Sequence, residues 1–160
     1  MLVKEFKTPF QAIDIDPQFR RVVSYFRPSD YAAWAASLAS FPTALYLMES
    51  ASPTRPRFGM RTPMRLAGTL GLVGGFLLAY QRSSFRFWGW SENEREVERA
   101  KKDKEAGKVI GRGESSLSDE MQGAAFRNSL YSQLNFAVLP WFNFVNHKFH
   151  DTPSSSNAQE

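Results

Sequence analysis

Few residues in this 160-residue chain could do chemistry. His147 and His150, its two histidines, stand three positions apart with Asp151 adjacent, a spacing that could place three ligands near one another. Asp14 and Asp16 form a second polar pair, but no third carboxylate or calcium-loop pattern accompanies them. Both histidines sit in one terminal patch and no serine lies in a nucleophile-elbow pattern, so Ser/His/Asp hydrolysis finds no support. The turn at Gly111, Arg112 and Gly113 has neither a preceding strand nor the Gly-Lys-Ser/Thr element of a phosphate loop. Cysteine is absent, which excludes disulfides, thiolate nucleophiles, cysteine zinc sites and the usual iron-sulfur clusters. The expected inventory holds no catalytic, cofactor-binding or metal-ligating residue.

The elements that would position any site are two apolar windows and their flanks. Tyr31 to Met48 runs eighteen residues without a charge, and Leu66 to Gln81 sixteen. As helices they would measure about 27 Å and about 24 Å, close to the hydrocarbon thickness of a bilayer. Neither shows the polar stripe of a soluble amphipathic helix, and aromatics (Tyr31, Trp34, Tyr46, Tyr80, Phe85) stand near the ends, where membrane interfaces favour them. Charge follows the same division: residues 1–48 carry five basic and four acidic groups, 49–86 six Arg and one Glu, and 87–160 nine basic and eleven acidic, giving +1, +5 and -2. The excess positive charge therefore brackets the apolar windows, where Arg61, Arg65, Arg82 and Arg86 would meet anionic lipid headgroups. That distribution argues for a membrane surface and against nucleic acid.

These features predict an all-α integral membrane protein built on a two-span transmembrane helical hairpin. Its parts are an N-terminal segment at 1–30 with a short surface helix over Phe19 to Phe26, spans at 31–48 and 66–81, and a Pro/Arg-rich linker at 49–65. A basic, aromatic stretch and a charged helix follow at 82–125, then an aromatic docking segment at 126–150 and a polar tail at 151–160. The first window is rich in Ala, Ser and Thr, so it would insert weakly without protein neighbours. Helical spacing puts Ala32, Ala36, Ser40 and Ala44 on one small-residue ridge and Ala67, Gly71, Gly75 and Ala79 on another. One ridge is expected to join the spans and the other to receive a foreign subunit. Pro42 should free a carbonyl inside the first span, which a neighbouring Ser or Thr could satisfy. Ser91, three before Glu94, is expected to cap a helix running to about Ala106, with residues 107–125 irregular. Trp88, Trp90, Trp141, Phe142 and Phe144 are the expected partner-docking aromatics.

The stretches Thr8-Pro-Phe-Gln-Ala-Ile-Asp-Ile-Asp-Pro17, Phe26-Arg-Pro-Ser-Asp-Tyr31, Met64-Arg-Leu-Ala-Gly68, Tyr80-Gln-Arg-Ser83, Phe87-Trp-Gly-Trp-Ser-Glu-Asn93, Arg127-Asn-Ser129 and Leu139-Pro-Trp-Phe-Asn-Phe-Val-Asn-His147 occur in an order that resembles the fungal 21 kDa accessory-subunit family of mitochondrial complex I, NADH:ubiquinone oxidoreductase. The resemblance runs from about residue 8 to 150. It implies a non-catalytic, multi-pass subunit of the inner-membrane arm that helps assemble or stabilise its neighbours. Such a subunit has membrane-arm subunits as partners and no flavin, cluster or quinone site; together with the charge distribution, this leaves anionic phospholipid as a further expected partner, no cofactor beyond bound phospholipid, no nucleic acid and no small-molecule substrate. Two other readings stand beside it: a small translocase or channel component built on glycine-rich spans, and an enzyme using His147 and His150.

Overall fold

The computed structural model describes residues 7–51, 59–129 and 142–151. Every regular element among them is a helix: α1 Phe19–Ser24, α2 Pro28–Ala51, α3 Arg61–Phe87, α4 Glu94–Glu105 and α5 Asp119–Ser129. They fall into two compact units, one of residues 26–80 and one of residues 1–25 with 81–160.

The first unit is the helix pair. Pro28 opens α2 with the fixed φ that a first turn needs, and the Asp30 carboxylate accepts the Arg27 amide at 2.8 Å, a back-bond of the capping-box kind. At 24 residues α2 extends past both ends of its apolar window. Helix α3 likewise starts inside the expected linker and runs through to Phe87, for 27 residues. Among the described helices, α3 is the one long and apolar enough to cross a membrane by length and composition. Helix α2 has the length, but Ser37, Ser40, Pro42 and Thr43 dilute its apolar content.

The two helices meet through α3's glycines. A Cβ on Gly71 would lie 2.8 Å from the Ser37 carbonyl oxygen, and one on Gly75 would lie 2.7 Å from the Trp34 ring. Trp34 donates its indole N–H to the Leu72 carbonyl at 2.8 Å and stacks edge-on against Phe76. Pro42 stays inside an unbroken helix, and the carbonyl it frees, that of Leu38, lies against Gly71. No serine or threonine hydroxyl is described reaching that carbonyl. Thr43 donates to Ala39 and Ser40 to Ser37.

The second unit is built on the end of α3. The Phe87 carbonyl accepts the Ile13 and Asp14 amides, laying the N-terminal segment along the last turn, where Ala12, Ile15, Val22, Tyr25, Phe87 and Trp88 are buried. Helix α1 turns Arg21 and Val22 inward and leaves Arg20 and Ser24 exposed. Helix α4 has its acids, Glu94 and Glu96, in the first turn and Lys102 and Lys104 in the last, as the helix dipole favours. Its N-cap is Asn93 rather than Ser91, and the Asn93 amide donates to the Gln11 and Arg86 carbonyls instead of capping. Gly107, at φ +66°, ends the helix as expected for a left-handed stop. The last third of the segment expected to be irregular is helical: Ser118 receives the Met121 amide on its hydroxyl just before α5 begins.

Candidate functional site

The chain brings together in space the two polar pairs that looked unconnected in sequence. Asp16 lies two residues before α1's N-cap, Gln18, and Pro17 follows it, yet its carboxylate caps nothing. It accepts the Asn143 amide at 2.8 Å, the Ser129 hydroxyl at 2.7 Å and the His147 Nε2–H at 2.8 Å. Asp14 sits one alternation earlier, with its Oδ1 holding the Asp16 amide and its Oδ2 receiving Arg21 at 2.9 Å and the Asp151 amide at 3.0 Å. Arg21 divides its guanidinium between Asp14 and Asp151, and Lys104 from α4 reaches the other Asp151 oxygen at 3.0 Å. His147 and His150 stack face to face with ring centres 3.8 Å apart. Asp14, His147, His150 and Arg21 are each 1% exposed or less.

Burial in this cluster has electrostatic consequences. It pushes the Asp14 carboxyl above its ordinary value, outweighing the pull of Arg21 and His150 in the other direction. For Arg21, burial alone would lower the pKa, but the Asp14 and Asp151 carboxylates more than offset it and the net shift is upward, so the guanidinium stays charged. At the edge of the cluster, burial and a hydrogen bond to Asp103 push the Tyr25 phenol up to about 12. A phenol whose folded value exceeds the unfolded one, about 10, contributes stability that is complete below pH ~10 and is lost as pH rises towards 12. Tyrosinate absorbance should therefore show one late-ionising tyrosine that disappears in Tyr25→Phe, and its persistence in that variant would refute the assignment.

Asp16, His147 and His150 offer ligand atoms within 4.8 Å of one another. The arrangement fits a metal poorly. The rings are nearly parallel, 13° apart, so their in-plane lone pairs do not converge on one point, and both nitrogens of His150 are occupied by carbonyl oxygens.

The expected packing and docking residues are distributed unevenly. Ala67, Gly71, Gly75 and Ala79 are all buried on α3, whereas Ala32, Ala36, Ser40 and Ala44 are all exposed on α2, whose inner face presents Trp34 and Ser37 to the glycines. Ser40 and Ala44 border an open apolar groove of about 490 Å³ shared with Leu45, Met48, Leu66 and Leu70. Arg61, Arg65 and Arg82 are exposed. Arg86 leaves the headgroup set: it is 4% exposed, ion-paired with Glu96 at 3.1 Å, and turned towards the Tyr25 carbonyl. Trp88 leaves the docking set, because it is buried beside Phe85 in the chain's own core. Phe142 is half-buried edge-on against Phe19, while Trp90 and Phe144 are exposed at 41% and 64%. Trp141 lies outside the described residues.

Comparison with known proteins now decides the family. Residues 7–92 match the family described as NADH-ubiquinone oxidoreductase complex I, 21 kDa subunit, and residues 94–155 match the C-terminal region of the same subunit. The chain belongs to the complex I 21 kDa subunit family. A relative in Neurospora crassa, the NADH-ubiquinone oxidoreductase 20.9 kDa subunit, is 48% identical over 162 residues, covering 98% of this chain and 85% of its own length. The boundary between the two 21 kDa subunit regions falls at Asn93, which ties the N-terminal segment to the end of α3 through Gln11 and Arg86. The acidic pair and the histidines thus come from different regions of the 21 kDa subunit and meet only in the folded chain. The family match supports the subunit reading and lends nothing to a translocase.

Proposed function

We propose that the chain is a non-catalytic accessory subunit in the membrane arm of mitochondrial complex I, held in the inner membrane as a two-span hairpin of α2 and α3. The observation that carries this reading, beside the family, is what the helix pair leaves exposed. Phe41, Tyr46, Leu47 and Met48 on α2 and Leu66, Leu70, Leu72 and Val73 on α3 are between 46% and 70% exposed. Large apolar side chains in contiguous rows on two long helices need lipid or protein around them, not water. Arg61, Arg65 and Arg82 then lie beyond the apolar stretch of α3, at headgroup depth. The small-residue ridge of α2 is the face offered to a neighbouring subunit, since close helix approach in lipid depends on such residues. The buried, hydrogen-bonded state of His147 and His150 supports a structural rather than a catalytic use of both.

Two measurements test this. After alkaline carbonate washing of mitochondrial membranes the chain should stay in the pellet, and after gentle detergent extraction it should migrate with the NADH dehydrogenase activity at the size of the whole complex. Recovery in the carbonate supernatant, or migration as a lone chain of 18.2 kDa, would overturn the proposal.

A further inference from the structure

His150 has a hydrogen-bond acceptor at each ring nitrogen. Nδ1 lies 2.7 Å from the Asp16 carbonyl oxygen and Nε2 lies 2.9 Å from the Val145 carbonyl oxygen. Carbonyl oxygens only accept, and a neutral imidazole carries one N–H. A neutral ring here would aim a nitrogen lone pair at a carbonyl lone pair across less than 3 Å. His147 poses no such difficulty, because it has one acceptor, Asp16, and its Nδ1 has no hydrogen-bond partner among the described residues.

Charge counting points the same way. The groups around the ring are Asp14 and Asp16 from the N-terminal segment, Arg21 from α1, Lys104 from α4, and Asp151 beside the ring itself. The Gly111 backbone presses on the ring without adding charge. Three carboxylates against two cations leave one negative charge uncompensated in a buried site, and such a deficit is costly. Burial raises the Asp14 carboxyl above its ordinary value, but the hydrogen bonds its oxygens make are all accepted ones, with no acceptor among the described residues to receive a carboxyl hydrogen. The Asp14 oxygens already accept from Asp16, Arg21 and Asp151, and those of Asp16 from Asn143, Ser129 and His147; Asp151 Oδ1 accepts from Arg21, and its Oδ2 faces the Lys104 ammonium at 3.0 Å in an ion pair. Only His150 has an acceptor waiting for a second hydrogen.

We infer that His150 is carried as an imidazolium whose second proton fastens residues 142–151 to the N-terminal segment through the Asp16 carbonyl, making this attachment proton-dependent. The His147 ring stacks on it with centres 3.8 Å apart. Loss of that proton replaces a charge-assisted hydrogen bond with two opposed lone pairs and uncovers the negative excess, so the C-terminal segment opens.

Lys148 is exposed between the two histidines and reports the opening directly through trypsin. Native membranes dissolved in mild detergent should be digested at about pH 6 and about pH 9. Cleavage after Lys148 should rise roughly ten- to hundred-fold relative to cleavage after exposed Lys102, which corrects for trypsin's own pH response. His150→Gln should cleave at the high rate at both values, and His147→Gln should keep the response. An unchanging ratio in the wild type, a full response in His150→Gln, or its loss in His147→Gln would overturn the inference. Should His150→Gln fail to accumulate, hydrogen–deuterium exchange at the wild-type His150 ring C2 must follow the same pH course as cleavage, and divergence of the two curves would overturn it. Release by a chelator at fixed pH would do so as well, by putting a metal ion where the proton is placed.

Discussion

Arg21→Ala is expected to be among the most damaging single changes in the chain. It leaves Asp14, fully buried, and Asp151, nearly so, without the guanidinium that separates them. Removing one partner of a buried ion pair costs about 3–5 kcal/mol, because the remaining charge stays desolvated. Domains of this size are stable by about 5–15 kcal/mol in total, so the loss should cut the steady-state amount of the chain severely, with quantitative immunoblotting of membranes as the readout. Arg21→Lys separates charge from geometry. An ammonium keeps the positive charge but cannot reproduce the fork that gives NH1 to Asp14 and NH2 to Asp151, so it should restore part of the level and not all of it. Wild-type abundance of Arg21→Ala would mean that solvent reaches the cluster.

The second large effect is expected at Gly75. A Cβ there would stand 2.7 Å from the Trp34 ring and 2.9 Å from both the Ser37 Cβ and the Trp34 carbonyl oxygen, and the last of these is backbone that cannot swing away. Gly75→Leu must therefore push α2 and α3 apart, breaking the Trp34 to Leu72 hydrogen bond. Overpacking of this kind costs about 1–3 kcal/mol, occasionally more, and if the pair lies in lipid as proposed, the cost falls on assembly. Gly74 and Gly68 supply the controls. A Cβ at either meets nothing within 4 Å, so Gly74→Leu and Gly68→Leu should leave the assembled level close to wild type. If all three behave alike on native gels, the glycines act through helix propensity or lipid contact and not through this interface.

Much of the framework was legible because it depends on short-range pattern. Charge-free windows marked both long helices, and Ala67, Gly71, Gly75 and Ala79, spaced four apart, are all buried on α3. What spacing could not show was which face of α2 answers them. Trp34 and Ser37 do, and neither belongs to the regular small-residue ridge, because one large ring filling the gap left by Gly75 packs as well as a matched row of alanines. Arg86 and Trp88 were misplaced for a related reason. An arginine and a tryptophan just past an apolar window suit a headgroup layer, but α3 continues through Arg86 and ends at Phe87, and the two side chains lie against Glu96 and Phe85.

The polar cluster was harder still. Asp14 and Asp16 lacked a third carboxylate, and His147 and His150 lacked any partner beyond Asp151, so each pair was weak alone. The missing partner of each was the other, 131 residues away from Asp16 to His147. Periodicity carries no information over that distance. The one available signal was that both pairs are unusually polar for their surroundings, Asp14 and Asp16 alternating with Ala12, Ile13 and Ile15, and the histidines set among phenylalanines.

The bond from the Asp151 amide to Asp14 spans 137 positions and has a kinetic consequence. Contacts so distant along a polypeptide are slow to form and cannot close until nearly the entire chain has emerged from whatever ribosome or import channel delivers it. During that interval Asp14, Asp16 and Arg21 have no permanent cover. A nascent or C-terminally clipped molecule would thus display an open charged socket that finished copies hide.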